Sequence, residues 1–144
     1  MPPVARRYRP ADRADVLAYI GDPRPLAAGS HRVHVCEDAG RVAGVSITLF
    51  QEAGDVDLAV MLAGNPPRLD VIHALLLALV EDCVAEGREY GYSRVRLRSL
   101  VRALQRRYGV AAEPSGWHPV SGRPEEWTLR VHLPSLLAQL RGMP

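Results

Sequence analysis

Apolar and polar positions along this chain follow two periods, and the switches between them mark the elements. Residues 4–8 form a short extended run. Residues 10–20 then place Val16, Leu17 and Ile20 on one helical face, with Asp12 where an N-cap belongs and Asp15 in the first turn. The Gly- and Pro-rich segment 21–30 predicts a loop. Alternation returns over 31–37 and 42–51, and Asp38-Ala39-Gly40-Arg41 between them predicts a hairpin turn. Gly54 opens a third strand of this run, over 55–62.

The stretch "LAGNPPRLDVIHALLLALVEDC" passes from that strand through a Gly-Asn-Pro-Pro turn into a long apolar helix. Leu69, Ile72, Leu76, Leu79, Val80 and Cys83 share one face, and Val71, Leu75 and Leu77 widen it. So broad a stripe predicts a helix packed on a sheet, ended by Gly87 and Gly91. In "SRVRLRSL", Val95 and Leu97 alternate with Arg94, Arg96 and Arg98, which predicts a strand with one solvated side. Ser99 then caps a short helix, "LVRALQRRYG". Residues 116–133 predict a second hairpin across Ser121-Gly122-Arg123-Pro124, and "PSLLAQL" adds a last helical turn or two. The order β-α-β-β-β-α-β-α-β-β predicts one α+β domain over 1–144 with a mixed sheet.

Composition narrows the classes. At 144 residues with 47% apolar and 24% charged positions, the chain is globular and long enough to bury a core. All 18 cationic residues are Arg, yet the net charge of +2 argues for nucleic acid only if those arginines cluster. Cys36 and Cys83 lack CxxC spacing, so neither a disulfide framework nor a zinc knuckle is indicated. The N-terminus has no apolar signal core, and the run 71–80, broken by His73, is too short to cross a bilayer. These features predict a cytoplasmic protein that keeps away from membranes.

The element order resembles that of the GNAT superfamily of acyl-CoA-dependent N-acyltransferases over nearly the whole chain. The resemblance is carried by "VARRYRPADRADVLAYI", by the hairpin "VCEDAGRVAGVSITL" with Gly44 at a glycine common in the third strand, by the central strand–turn–helix rich in "ALL", and by "ALQRRYGV" before a terminal hairpin. It implies a largely antiparallel twisted sheet flanked by helices, with acetyl-CoA as co-substrate. The acceptor would be a small-molecule or peptide amine. Val60, Met61 and Leu62 would hold the pantetheine through strand backbone. The N–H groups of Arg68, Leu69, Asp70, Val71, Ile72 and His73 would hold the pyrophosphate at a helix N-terminus.

In that family the turn carries an Arg/Gln-x-x-Gly-x-Gly/Ala signature, because a Cβ would stand between backbone and phosphate. One register here places Arg68 at the Arg, with Val71 and His73 at the glycines. The other places Pro67 there, with Asp70 and Ile72 at the glycines. Neither restores a glycine, and Asp70 brings a carboxylate into the first turn in both. The family's general acid is a Tyr four residues before the glycine that ends the next helix. With Gly109 as that glycine the position is Gln105, and Tyr108 nearby is either a substitute acid or a packing residue. The resemblance implies a carboxylate base near the fourth strand, for which Asp57, Asp55 and Glu52 are candidates and Asp57 leads; alternation puts it opposite Leu58 and Val60.

The histidines His31, His34, His73, His118 and His132 show no ligand spacing, and His73 is the one expected at a cleft. Arg94, Arg96, Arg98, Arg102, Arg106 and Arg107 concentrate locally. They predict either a phosphate-binding surface, for CoA or a nucleic acid, or a solvated face paired with Glu81, Asp82, Glu86 and Glu89. Trp117, Trp127, Tyr90 and Tyr92 are expected to anchor hairpin packing. Two functions stand: an N-acyltransferase, or a degenerate relative serving as a binding or assembly module, with a homodimer open in either case.

Overall fold

The computed structural model describes every residue except Met1, Ala28, Ala53 and Pro144. Seven strands form one sheet: β1 (Val4–Arg7), β2 (His31–Asp38), β3 (Arg41–Leu49), β4 (Val56–Leu62), β5 (Tyr90–Val95), β6 (Ala111–Trp117) and β7 (Pro124–His132). Their spatial order is β1-β2-β3-β4-β5-β7-β6. Every neighbouring pair is antiparallel except β4 and β5. The exception has a simple cause: helix α3 (Leu69–Ala85) links those two strands as a crossover, and a crossover returns the chain in the same direction.

Helices cover both faces. Alternate residues of β2 point to opposite sides: Val33 and Val35 pack with Val16 of α1 (Arg13–Ile20), while Cys36 packs with Val71 and Leu75 of α3. On the α3 side, α5 (Leu133–Arg141) buries Leu133, Leu136, Leu137 and Leu140 against Val56, Leu79 and Val80. Gly44 of β3 brings α3 close, since a Cβ there would lie 2.6 Å from Val71 Cγ1 and 2.9 Å from the Leu62 carbonyl oxygen. No helix among the described residues is long and apolar enough to cross a membrane.

The α+β order expected from the pattern is the one found, with local differences. A four-residue helix, α2 (Arg24–Ala27), interrupts the expected loop. Asp12 occupies the N-cap position of α1 but makes no side-chain cap bond. Its carboxylate instead accepts both Arg6 guanidinium nitrogens, at 2.7 and 2.9 Å, and the Arg9 N–H at 2.8 Å. The bidentate fork outcompetes a lone backbone donor. The expected arginine-faced strand is shorter: β5 ends at Val95, so only Arg94 lies on it, and Arg98 opens α4 (Arg98–Tyr108) behind an N-cap at Leu97, not Ser99. Trp117, expected to anchor hairpin packing, is 55% exposed.

Candidate functional site

The site follows from how β4 and β5 separate. They share two rungs, Val56↔Gly91 and Asp57↔Tyr92, and no rung joins them beyond. Ser93 Oγ donates to the Leu58 carbonyl at 3.2 Å, fixing the branch point. On its other edge β4 is irregular against β3, where Ile47 faces Val60 but Leu49 faces Asp57. Two steps along β3 thus match three along β4, a bulge that twists the strand away. The extra residue also reverses the alternation: Asp57 and Val60 lie across from Leu49 and Ile47 and share a side, contrary to the simple reading that set them on opposite faces.

Into the gap opens a cavity of about 730 Å³. Its β4 wall is the run from Leu58 to Ala63, which includes the expected Val60, Met61 and Leu62. Its β5 wall runs from Ser93 to Leu97, and Leu76, Leu104 and Leu136 close it behind. The wall is largely apolar, with Tyr19, Asn65, Ser93, Arg94, Arg96 and Tyr108 as its polar members, and among the described residues it contains no carboxylate. Asp57 stands at the last shared rung and outside the wall, and Asp55 is paired with Arg130 at 3.2 Å. Because β5 turns away, one edge of β4 faces the cavity, where an extended chain can lie as a strand would.

The α3 N-terminus is arranged differently from what the resemblance implies. Ile72 lines the cavity and is buried, but Arg68, Leu69, Asp70, Val71 and His73 are not part of its wall. Asp70 Oδ1 accepts the Val71 N–H at 2.9 Å. Arg68 grips the Asp70 carboxylate at 2.7 Å and Asp38 at 2.8 Å with the same nitrogen. The Arg68 hydrogen bond holds the Asp70 carboxyl below the usual carboxylate range. The positive end of the helix is thereby met by the protein's own anion, and Pro66 and Pro67 offer no N–H. An acyl-pantetheine arm fits the cavity; a diphosphate does not fit this helix end.

Tyr108 is 4% exposed, faces the cavity and places its hydroxyl 3.3 Å from His73 Nδ1, the two rings stacking at 6.2 Å. Burial pushes the Tyr108 phenol up, while burial and then Arg107 push His73 down. His73 lies on a second groove of about 330 Å³ beside α3, so the expected cleft histidine reaches the main cavity only through Tyr108. Gln105 is exposed and absent from the wall.

The expected pairing of the arginine concentration with α3 acids is overturned. Glu81 pairs with Arg141, Asp82 with Arg7 and His34, Glu86 with Arg32, and Glu89 with His132. Those partners come from β1, β2, β7 and α5, which only the folded chain brings alongside. Among the described residues, Arg94, Arg98, Arg102, Arg106 and Arg107 make no ion pair, and Arg96 meets Glu126 at 3.3 Å. Sequence reading missed Ser93 and the wall positions of Arg94 and Arg96, because no local pattern signals where two parallel strands part.

No family model matches the chain, and no curated protein matches it by sequence. Solved structures do match its fold. The Escherichia coli ribosomal-protein-S18-alanine N-acetyltransferase aligns with a TM-score of 0.68 at 14% identity, covering 91% of this chain and 94% of that one. A putative GNAT-family acetyltransferase from Desulfovibrio desulfuricans aligns with a TM-score of 0.69 at 16% identity, covering 91% and 99%. A putative acetyltransferase from Salmonella typhimurium, solved with acetyl-CoA, aligns with a TM-score of 0.65 at 15% identity, covering 92% and 95%. The chain has the GNAT fold.

Proposed function

We propose that this GNAT-fold chain is an N-acyltransferase that takes an acyl group, acetyl in the simplest case, from a pantetheine thioester such as acetyl-CoA and gives it to an amine. One observation carries the reading: β4 and β5 part after a single pair of rungs and leave a largely apolar cavity of about 730 Å³ against a bare strand edge. The acetyl-CoA bound to the Salmonella relative, and the amine substrates named for other neighbours, agree with it.

The thioester supplies an activated acyl group; the chain supplies place and protons. The β4 edge from Val60 to Leu62 aligns the pantetheine amides, and the cavity keeps water from the thioester. Holding amine and thioester together provides most of the acceleration. Asp57, at the branch point, receives the amine proton through water. Tyr108 gives a proton to the departing thiolate, and His73 restores it from the outer groove. The wall has no carboxylate to attract a polycation, which favours amines that enter uncharged. No step is routed through the α3 N-terminus.

Calorimetry with acetyl-CoA, joined to thiol release with a panel of small amines and N-terminal peptides, tests the reading. Binding in the micromolar to millimolar range and amine-dependent thiol release are expected. No heat with millimolar acetyl-CoA, or thiol release indifferent to every amine, overturns it. Asp57→Asn is expected to lower kcat by about a hundredfold, with partial recovery at high pH.

A further inference from the structure

We propose that the phosphate end of the donor rests on the arginine side of the cavity mouth, at Arg94, Arg96 and Arg98, and not at the α3 N-terminus. The inference rests on the reading above and locates a binding site within it. Because β4 and β5 run parallel, their C-terminal ends open at the same mouth, with Gly64 and Asn65 on one lip and Arg96 and Leu97 on the other. An arm threaded along β4 leaves between those lips and must set its phosphate on one of them.

The β4 lip is unsuited to an anion. Asp70 already occupies the first turn of α3, takes the Val71 N–H and is clamped by Arg68, whose charge Asp38 also shares. A phosphate there would meet two carboxylates and an arginine already neutralised by them. The β5 lip is the reverse. Arg94 and Arg96 are part of the cavity wall, Arg98 lies two residues beyond Arg96 just outside it, and all three are exposed. The first turn of α4 holds no acidic residue. Among the described residues Arg94 and Arg98 have no ionic partner, and Arg96 has one at 3.3 Å while its side chain stays 84% exposed. Planar guanidinium forks that sit unpaired at an exit are matched to phosphate oxygens.

The chemistry recognised is a 4′-phosphopantetheine thioester, and two sources carry it: free acyl-CoA, or the prosthetic arm of an acyl carrier protein, which has one phosphodiester and no diphosphate. A site built on a few arginines at the mouth accepts either.

The test compares three probes on the full chain by calorimetry: acetyl-CoA, S-acetylpantetheine without phosphate, and an acetylated carrier protein. In the Arg94→Ala/Arg96→Ala/Arg98→Ala variant, acetyl-CoA is expected to bind about tenfold or more weakly, with S-acetylpantetheine unchanged within about twofold. The unchanged pantetheine affinity also reports that the variant is folded. Acetyl-CoA binding to the native chain is expected to weaken with salt and S-acetylpantetheine binding is not. Asp70→Asn is expected to leave the ratio of the two affinities as it was.

The site is overturned if the arginine variant shifts both thioesters alike or neither, or if Asp70→Asn alone changes the ratio. If neither thioester binds the native chain, the proposed function falls and the site with it. If acetyl-CoA binds without arginine dependence, only the site falls. Arginine-dependent binding in which the carrier exceeds acetyl-CoA supports the site with a protein-borne donor. The opposite ranking supports it with a free one.

Discussion

The Tyr108 hydroxyl stands 3.3 Å from His73 Nδ1, linking the wall of the β4/β5 cavity to the groove outside α3. The pair joins α4 to α3 through residues 35 positions apart in the chain. Burial raises the phenol and lowers the imidazole, so at neutral pH Tyr108 holds its proton and His73 is uncharged.

Tyr108→Phe removes the only proton the pair presents to the cavity. It is expected to lower kcat by about a hundredfold with little change in donor affinity, and His73→Ala is expected to cost less. If the chain is the proposed acyltransferase, the alkaline fall in kcat of the native chain should lie above the ordinary tyrosine value of about 10. Steady-state rates from neutral to alkaline pH decide the matter. A Phe variant with native kcat would make Tyr108 a packing residue.

Gly44 governs how closely α3 approaches the sheet. Gly44→Ala would push a methyl to 2.6 Å from Val71 Cγ1 and 2.9 Å from the Leu62 carbonyl oxygen, and the carbonyl belongs to a paired strand that cannot easily yield. A loss of about 1–3 kcal/mol is expected, read by urea unfolding. Adding Val71→Ala should recover part of it. A double variant no better than the sum of the singles would mean that the carbonyl alone sets the limit.

His34 confers a pH dependence on stability. It is 1% exposed and meets Asp82 Oδ2 through Nε2 at 2.6 Å, with Nδ1 buried and unpartnered. Burial lowers its pKa and the Asp82 contact only partly offsets this, so the folded pKa lies below the ordinary 6.5. The unfolded chain therefore takes up the proton first. Stability is full above pH 6.5 and is lost as pH falls through 6.5 towards the folded value. Asp12 and Asp82, held below 3.8, add a second loss at lower pH still. His34→Gln should flatten the first window and leave the second, at a cost of about 1–3 kcal/mol. Unfolding midpoints across pH 4–8 read both. An unchanged slope below pH 6.5 would show that His34 does not titrate there.

The sequence by itself determined the elements and their order. Period-two runs in β2, β3 and β7 and the broad apolar stripe of α3 are local consequences of which side of an element meets the core, and the folded chain has them where the pattern puts them. Val60, Met61 and Leu62 were legible as the end of a strand leading into a turn and helix, and the structure places them on the cavity wall. What only the tertiary structure decided were relations between distant segments. The β4 bulge that moves Asp57 to the side of Val60 depends on how β4 registers with β3. Asp70 stands in the first turn of α3 by sequence, but only the fold brings Asp38 of the hairpin to share its Arg68 clamp. Tyr108 has a partner only because the fold brings α4 near α3, and among the described residues Arg94 and Arg98 have no ion-pair partner while Asp82, Glu86 and Glu89 pair with Arg7, His34, Arg32 and His132. Periodicity records burial along one element. Charge pairing and strand divergence are set by which elements become neighbours, and that choice is made by packing the whole domain.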